Sequence, residues 1–436
     1  MRTASFYTLG CRLNQTESAL LGHALKKKGY LITTKKENAD LCVINSCTVT
    51  GMSDSKCRQT IRQVQKKNPT AIVAVIGCYS QMASDEILEI GGVHLILGSQ
   101  DKMKLVEYLD QVELDGAPVV SVGAIDKQSF QLGFEGQHRG LTRANLKIQD
   151  GCDFVCSFCI IPQARGRSRS RLQEDCLLEA KALAEADVKE LVLTGVNLGC
   201  YSEGKHNFLT LIQSLESILQ IKRVRISSIE PTTVGSEVFA LMADAQRQLV
   251  PYLHLPLQSG SDKILKLMRR KYNSYDYLQY LDQALEAVPA LGIGTDVIVG
   301  FPGESDADFQ DTYRLLQQSP VHYFHVFPFA TRQGTTAANL TEQVPAGLIQ
   351  ERALALRELS DQKRTQFAAH AKGEIQEVLF EHNNGGARWQ GYTGHYLRVE
   401  VESKEALGNQ LRLVQISGNE GSLATGVVLN SVQSAS

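Results

Sequence analysis

No stretch of this 436-residue chain approaches the roughly 18 consecutive apolar residues that a membrane span needs, so no membrane partner is expected. Charge of one sign is also scarce. Lys and Arg number 45 against 47 Asp and Glu, a net −2, so any nucleic-acid contact must come from local basic patches and not from a cationic fold. The opening residues, MRTASFYTLGC, hold one basic residue, no long apolar stretch and no small-residue cleavage pattern; this is not the form of a secretion signal, and a cytoplasmic protein is expected. Ten cysteines are too few to staple a chain of this length as a disulfide scaffold. In a reducing compartment, clustered thiols more often serve metals or catalysis, so their spacing carries the information. Internal repeats and low-complexity tracts are absent too.

What is present is an alternation of short β-rich runs with helical stretches, in a chain long enough for two or three domains. Over residues 1–115, the runs SFYTL, DLCVINSC, AIVAVIGC and VHLILG alternate with helices around Glu17–Lys28 and Lys56–Lys67, which predicts a parallel α/β domain. Residues 116–137, with DGAPVV, DKQSF and FEGQ, hold no sustained period and read as a linker or docking extension. From 138 to 369, the strands NLKIQ, ELVLTG, RVRISSI, YLHLPLQ, IGTDVIVG and VHYFHVF alternate with helices near 173–186, 209–219, 235–245, 275–288 and 306–317. A long helix at 346–370 follows. That pattern predicts an open, partial (β/α)6 version of the eight-stranded barrel. Residues 370–436 switch to alternating strands, EIQEVLFE, HYLRVEV and NQLRLVQI, as in a small β-barrel.

Two cysteine constellations carry chemistry. In GCDFVCSFCIIPQARG, Cys152, Cys156 and Cys159 fall on one loop as CxxxCxxC. Three thiolates can hold three corners of a 4Fe–4S cube and leave one iron open to chelate a small molecule. The competing reading is a zinc site or unrelated cysteines, but zinc normally takes four ligands in CxxC pairs and no partner pair lies nearby. Cys11, Cys47 and Cys78 each end a strand, and in an open parallel sheet the carboxyl ends share one edge, where ligands bind. A second cluster is the inference; three separate buried packing thiols are the alternative. Cys42, Cys57, Cys176 and Cys200 are read as packing residues or bystanders.

These two triads, in this order, resemble those of the radical S-adenosylmethionine (SAM) methylthiotransferases. The likeness runs over nearly the whole chain: TLGCRLNQTES, VINSCTVT and VIGCYSQ, then KIQDGCDFVCSFCIIPQARGRSRSR, then TGVNLG, RISSIEP, HLPLQSGSDKILKLMRRKY, DVIVGFPGE and HVFPFATRQGTTAA. The tail is placed like the family's TRAM domain, a small RNA-binding β-barrel. The resemblance implies SAM and two 4Fe–4S clusters. The one on Cys152, Cys156 and Cys159 would release a 5′-deoxyadenosyl radical; the one on Cys11, Cys47 and Cys78 would carry or donate sulfur, and a second SAM would give the methyl group. It also implies an electron donor and a sulfur source as partners. No catalytic side chain beyond the cluster ligands is expected, because an aromatic C–H bond offers no acidic proton and the cofactor must activate it. Thr194, Gly195 and Asn197 after the second barrel strand, Ser227 and Glu230 after the third, Gln258 after the fourth and Asp296 in the fifth are candidates for SAM contacts; capping or rim hydrogen bonding is the other explanation for each.

Within the family, the first two cysteine motifs resemble most the branch acting on N6-threonylcarbamoyladenosine at tRNA position 37, beside the anticodon. The branches acting on isopentenyladenosine or on a ribosomal-protein aspartate, and a non-catalytic metal-binding RNA module, are the alternatives. Between 138 and 171, Arg139, Arg143, Lys147, Arg165, Arg167, Arg169 and Arg171 face only Asp150 and Asp153, a candidate phosphate-binding patch. Arg58, Arg62 and Lys66 share one helix face, which can equally be a solvated face. The tail from His370 carries five Lys/Arg against seven Glu, so RNA contact there would need a local surface such as Arg388, Trp389, Tyr392 and Arg398.

Overall fold

The apolar runs at the start of the chain build one parallel sheet. The computed structural model describes residues 2–35, 37–132, 140–383 and 385–429; Arg139 and the FEGQ segment lie outside them. Strands β1 (Thr3–Thr8), β2 (Leu31–Ile32), β3 (Leu41–Ser46), β4 (Ile72–Gly77), β5 (Leu95–Leu97) and β6 (Val119–Ser121) stand in the order β2-β1-β3-β4-β5-β6, all parallel. The whole of β3 is buried because both faces are covered, as unbroken apolar runs in parallel sheets usually are. Leu41 and Val43 pack beneath helix α1 (Arg12–Lys27) through Leu21 and Leu25, while Cys42 and Ile44 face helix α2 (Gly51–Lys67) through Ile61 and Val64. Cys42 and Cys57 are fully buried in this core, as packing thiols. Helix α2 starts where Thr50 accepts from the Ser53 amide at 3.1 Å, a side-chain cap for an otherwise orphan donor.

The expected linker 116–137 is in part structured. Val119–Ser121 is the sixth strand of the sheet, paired with β5, and the Phe130 amide donates to the Ser170 carbonyl. The three residues VVS are too short a run for periodicity to separate from loop, and the sheet edge supplies what the local sequence does not.

Six further strands form the curved wall of the middle unit: β7 (Arg143–Lys147), then Glu190–Thr194, Arg223–Ile226, Tyr252–His254, Gly292–Val299 and Tyr323–Pro328. They follow one another in space as two parallel three-stranded sheets, joined where Val224 bridges Leu249. Pro251 lacks an amide hydrogen, so the ladder between the third and fourth strands is broken there, and Pro256 ends the fourth strand before Gln258. The result is the expected open half-barrel. The long helix Ala346–His370 packs against its last strand: Ser360 Oγ donates to the Phe324 carbonyl at 2.8 Å and accepts from its amide.

The chain after Gly373 closes into a five-stranded barrel of Ile375–Asn383, Arg388–Thr393, Arg398–Glu402, Leu423–Val428 and Leu411–Glu420. It seats against the starting ends of the half-barrel strands. Arg223 donates to the Tyr392 and Glu377 carbonyls at 2.9 and 2.7 Å, and Arg225 donates to the Gly394 carbonyl at 2.8 Å. No helix among the described residues is long and apolar enough to cross a membrane.

Candidate active site

Each cysteine of the first triad is positioned by a strand end and a glycine. Gly10 has φ +91°, and a Cβ on it would stand 2.5 Å from Cys47 Cβ, so glycine lets the β1 and β3 ends close up. Gly77, φ +102°, precedes Cys78, and a Cβ on it would stand 2.9 Å from the Ser46 carbonyl oxygen. Asn14 ties the ends together: its side-chain amide donates to the Leu9 and Ser46 carbonyls at 2.7 and 2.9 Å, and Cys11 Sγ lies 3.7 Å from its Oδ1. Burial pushes the Cys47 thiol up, with Cys78 and Cys11 near enough to add to the shift.

The second triad lies on the loop after β7. Burial raises the Cys152 thiol to about 11 and the Cys159 thiol to about 12; a metal bound there would have to displace their protons. Arg270 donates to Cys156 Sγ at 3.4 Å and also to Glu230 and Tyr272. Burial holds the Glu230 carboxyl above its usual range even with Arg270 beside it. Cys200 is close enough to Cys152 to affect it and otherwise makes no contribution visible here. Among the described residues, no three cysteine sulfurs converge within 4.8 Å; the group that does is His254, Asp296 and His325. Three thiolates without a fourth are a donor set that suits a 4Fe–4S cluster with one iron left open better than a lone zinc ion, which normally takes four ligands.

A buried ion network joins the two triads. Lys147 donates to Glu17 and Asp150 at 2.7 Å each, Lys102 Nζ stands 2.7 Å from Glu17, and Arg165 reaches Glu17, Asp150 and Asn14. Burial alone would raise the Glu17 carboxyl, but Arg165, Lys102 and Lys147 together hold it well below the usual carboxylate range. Asp150 is likewise held low.

This network corrects the reading of residues 138–171 as a phosphate patch. Lys147, Arg165 and Arg171 are buried with Glu17, Asp150, Asp175 and Glu179, and Arg169 lies against Asp150 and Gln100. Arg143 pairs with Glu381. Of the six cations among the described residues, only Arg167, its side chain 51% exposed, is open to a polyanion. On α2, Arg58 pairs with Glu86 and Tyr79, while Arg62 and Lys66 remain exposed.

The three units together line an open cavity of about 660 Å³. Cys11 and Arg12 come from the first unit. Thr194, Gly195, Ser227 and Asp296, four of the SAM candidates, come from the half-barrel, and Tyr392, Tyr396 and Arg398 from the C-terminal barrel. Asn197, Glu230 and Gln258 are not in its wall. Asn197 is buried with its Nδ2 unpartnered and its amide on Gln149 Oε1 at 2.9 Å. Glu230 sits beside the second triad, and Gln258, φ +73°, bridges Val297 through its backbone. Arg388 and Trp389 lie outside the cavity wall, on the same strand as Tyr392.

Several residues that the sequence did not single out shape the site. Gln149 accepts from the Val196 and Asn197 amides at 2.8 and 2.9 Å and donates to the Asp150 and Gly151 carbonyls, bracing the TGVNLG loop against the cysteine loop. Tyr396, on a turn with φ +70°, stacks on Tyr392 at a ring distance of 4.9 Å and lies tilted against Tyr252 at 4.8 Å, under Arg225. His254 Nε2 lies 2.9 Å from Asp296. Gln149 lies within the motif KIQDGCDFVC; nothing local marks Tyr396, whose partners Tyr252 and Arg225 lie in the half-barrel and Tyr392 on the preceding strand of its own barrel.

Comparison with known proteins agrees with this architecture. Residues 146–316 match the radical SAM superfamily, and residues 3–98 match the uncharacterized protein family UPF0004. The chain is 38% identical to threonylcarbamoyladenosine tRNA methylthiotransferase MtaB of Bacillus subtilis (strain 168), over 95% of this chain and 94% of that protein. It is 33% identical to tRNA-2-methylthio-N(6)-dimethylallyladenosine synthase of Methylacidiphilum infernorum (isolate V4), over 94% and 92%. In fold it is similar to the radical S-adenosylmethionine methyltransferase TsrM from Kitasatospora setae, with a TM-score of 0.55, 14% identity and 77% of each chain covered.

Proposed function

The chain belongs to the radical SAM tRNA methylthiotransferases, on the threonylcarbamoyladenosine branch, and we propose that it inserts sulfur and a methyl group at C2 of N6-threonylcarbamoyladenosine at position 37 of tRNA. The observation that carries this reading is the single cavity with Cys11, the strand-end residues Thr194, Gly195 and Ser227, and the tyrosines of the C-terminal barrel in one wall. It supports a sulfur site, a cofactor site and a base-stacking surface around one substrate.

Cys152, Cys156 and Cys159 would hold one 4Fe–4S cluster and Cys11, Cys47 and Cys78 a second. With SAM, these groups would supply the one-electron reduction, the sulfur and the methyl group of the reaction. The chain's own residues position and insulate. Arg270 places positive charge on the Cys156 sulfur and stabilises its thiolate. Gln149 fixes the loop that carries Thr194, Gly195 and Asn197, where SAM would bind. Phe158, packed with Ile264, Met268 and Phe301, excludes water behind the cysteine loop. A base in a single-stranded anticodon loop can be splayed out and stacked on an aromatic surface, which Tyr252, Tyr323, Tyr392 and Tyr396 provide. An electron donor and a sulfur source complete the cycle.

The test is direct. Anaerobically reconstituted protein, reduced and given SAM and tRNA bearing threonylcarbamoyladenosine, should yield the 2-methylthio nucleoside by mass spectrometry. Turnover confined to tRNA bearing isopentenyladenosine would replace the substrate. Zinc in place of iron, or no SAM cleavage under reduction, would replace the enzyme with a structural module.

A further inference from the structure

The cavity holds more positive charge than its own acids use. Arg12, Arg225, Arg364 and Arg398 stand in its wall against one carboxylate, Asp296. Two of these charges are already matched: Arg225 is held by both oxygens of Glu190 at 2.7 and 3.1 Å, and Asp296 is held by His254. Arg398 donates to Gln390. Arg12 and Arg364 have no carboxylate partner among the described residues. Arg12 donates to the Tyr396 hydroxyl at 3.4 Å, and the Arg364 guanidinium lies 5.0 Å from the Tyr323 ring centre.

They share one corner. Arg12 follows Cys11 in the first unit, and Arg364 projects from the long helix after the half-barrel, yet both stand near enough to Tyr323 and His325 to shift their titration. The floor of that corner is aromatic, with Tyr323 and Tyr396 rings 6.4 Å apart. Guanidinium forks over a flat apolar floor match a planar anion attached to a ring system.

We infer that Arg12 and Arg364 form the subsite for the carboxylate of the N6-threonylcarbamoyl arm, and thereby select this adenosine over one with an apolar N6 substituent. The inference rests on the proposed function. A dimethylallyl group carries no charge and leaves both guanidiniums unanswered, whereas the threonyl carboxylate can accept from each. A tRNA phosphate has the same anionic chemistry. The position beside Cys11, inside the cavity that the proposed function gives to the reacting base, favours the arm of that base.

The experiment compares binding of two versions of one tRNA, with threonylcarbamoyladenosine or unmodified adenosine at position 37, to reconstituted holoenzyme with SAM. Wild type should prefer the modified tRNA, and Arg364→Gln or Arg12→Gln should erase about ten- to a hundredfold of that preference. Arg364→Lys should restore part of it. Equal losses on both tRNAs would assign the arginines to phosphate and overturn the inference, as would an undiminished preference in both variants. Wild type that fails to methylthiolate threonylcarbamoyladenosine would overturn the functional reading itself, separately from either arginine.

Discussion

Arg165, six residues past Cys159, donates through Nη2 to Asn14 Oδ1 at 2.6 Å, and Asn14 is the residue against which Cys11 Sγ rests. The two cysteine triads are therefore joined through one buried guanidinium. Its charge is balanced by Glu17 from the first unit and Asp150 from the half-barrel, so the docking of the two units and the electrostatics of the sites form one structure.

Removing one charge from this network should be costly. Glu17→Gln leaves Lys102, Lys147 and Arg165 buried with Asp150 as the remaining acid, and breaking a buried pair in this way costs about 3–5 kcal/mol. Denaturant unfolding should show a loss of that size, whereas an exposed pair such as Lys67 with Glu37 should contribute under about 1 kcal/mol. Equal effects at the two sites would contradict a buried lock.

Gly10→Ala should disable the first triad selectively. Its Cβ would meet Cys47 at 2.5 Å in a backbone conformation that disfavours side chains. Reconstituted wild type should bind about eight irons under the two-cluster reading, and the variant about four, while still cleaving SAM. Full iron loading in the variant would show that this close approach is not needed.

Mild acid should loosen the seat of the C-terminal barrel. Burial pushes His322 and His395 each down to about 4; His322 stacks on Phe367 and accepts from the Ile293 amide, and His395 faces Arg225 and Arg223. Both are neutral when folded, while the unfolded chain takes up protons below about 6.5. The contribution of these two histidines to stability should thus be constant above that pH and fall between about 6.5 and 4, by at most about 1.4 kcal/mol per pH unit for each group. His322→Gln with His395→Gln should reduce the slope in that window by their share, leaving what His23, His94 and His325 contribute. Glu17 and Asp150, held low, should stay ionised throughout it and add none of the effect.

Much of this was legible in the residues. Strand periodicity marked β3 and β4 because both faces are buried, and the cysteines at strand ends followed from the geometry of a parallel sheet. The strand Val119–Ser121 was not legible, since three residues hold no period. Charge counting misread Lys147, Arg165 and Arg171, because their partners Glu17 and Glu179 lie far away or on another element and burial is invisible to composition. Tyr396 and Arg364 acquire meaning only when three units meet at one cavity.

Mass spectrometry of tRNA nucleosides from a strain lacking this gene tests the reaction on threonylcarbamoyladenosine most directly. The 2-methylthio form of threonylcarbamoyladenosine should vanish, leaving its unmethylthiolated precursor, and should return with the wild-type gene but not with Cys11→Ala. Persistence of that nucleoside in the deletion strain, with loss of the methylthio group from isopentenyladenosine or from a ribosomal protein, would contradict the assignment.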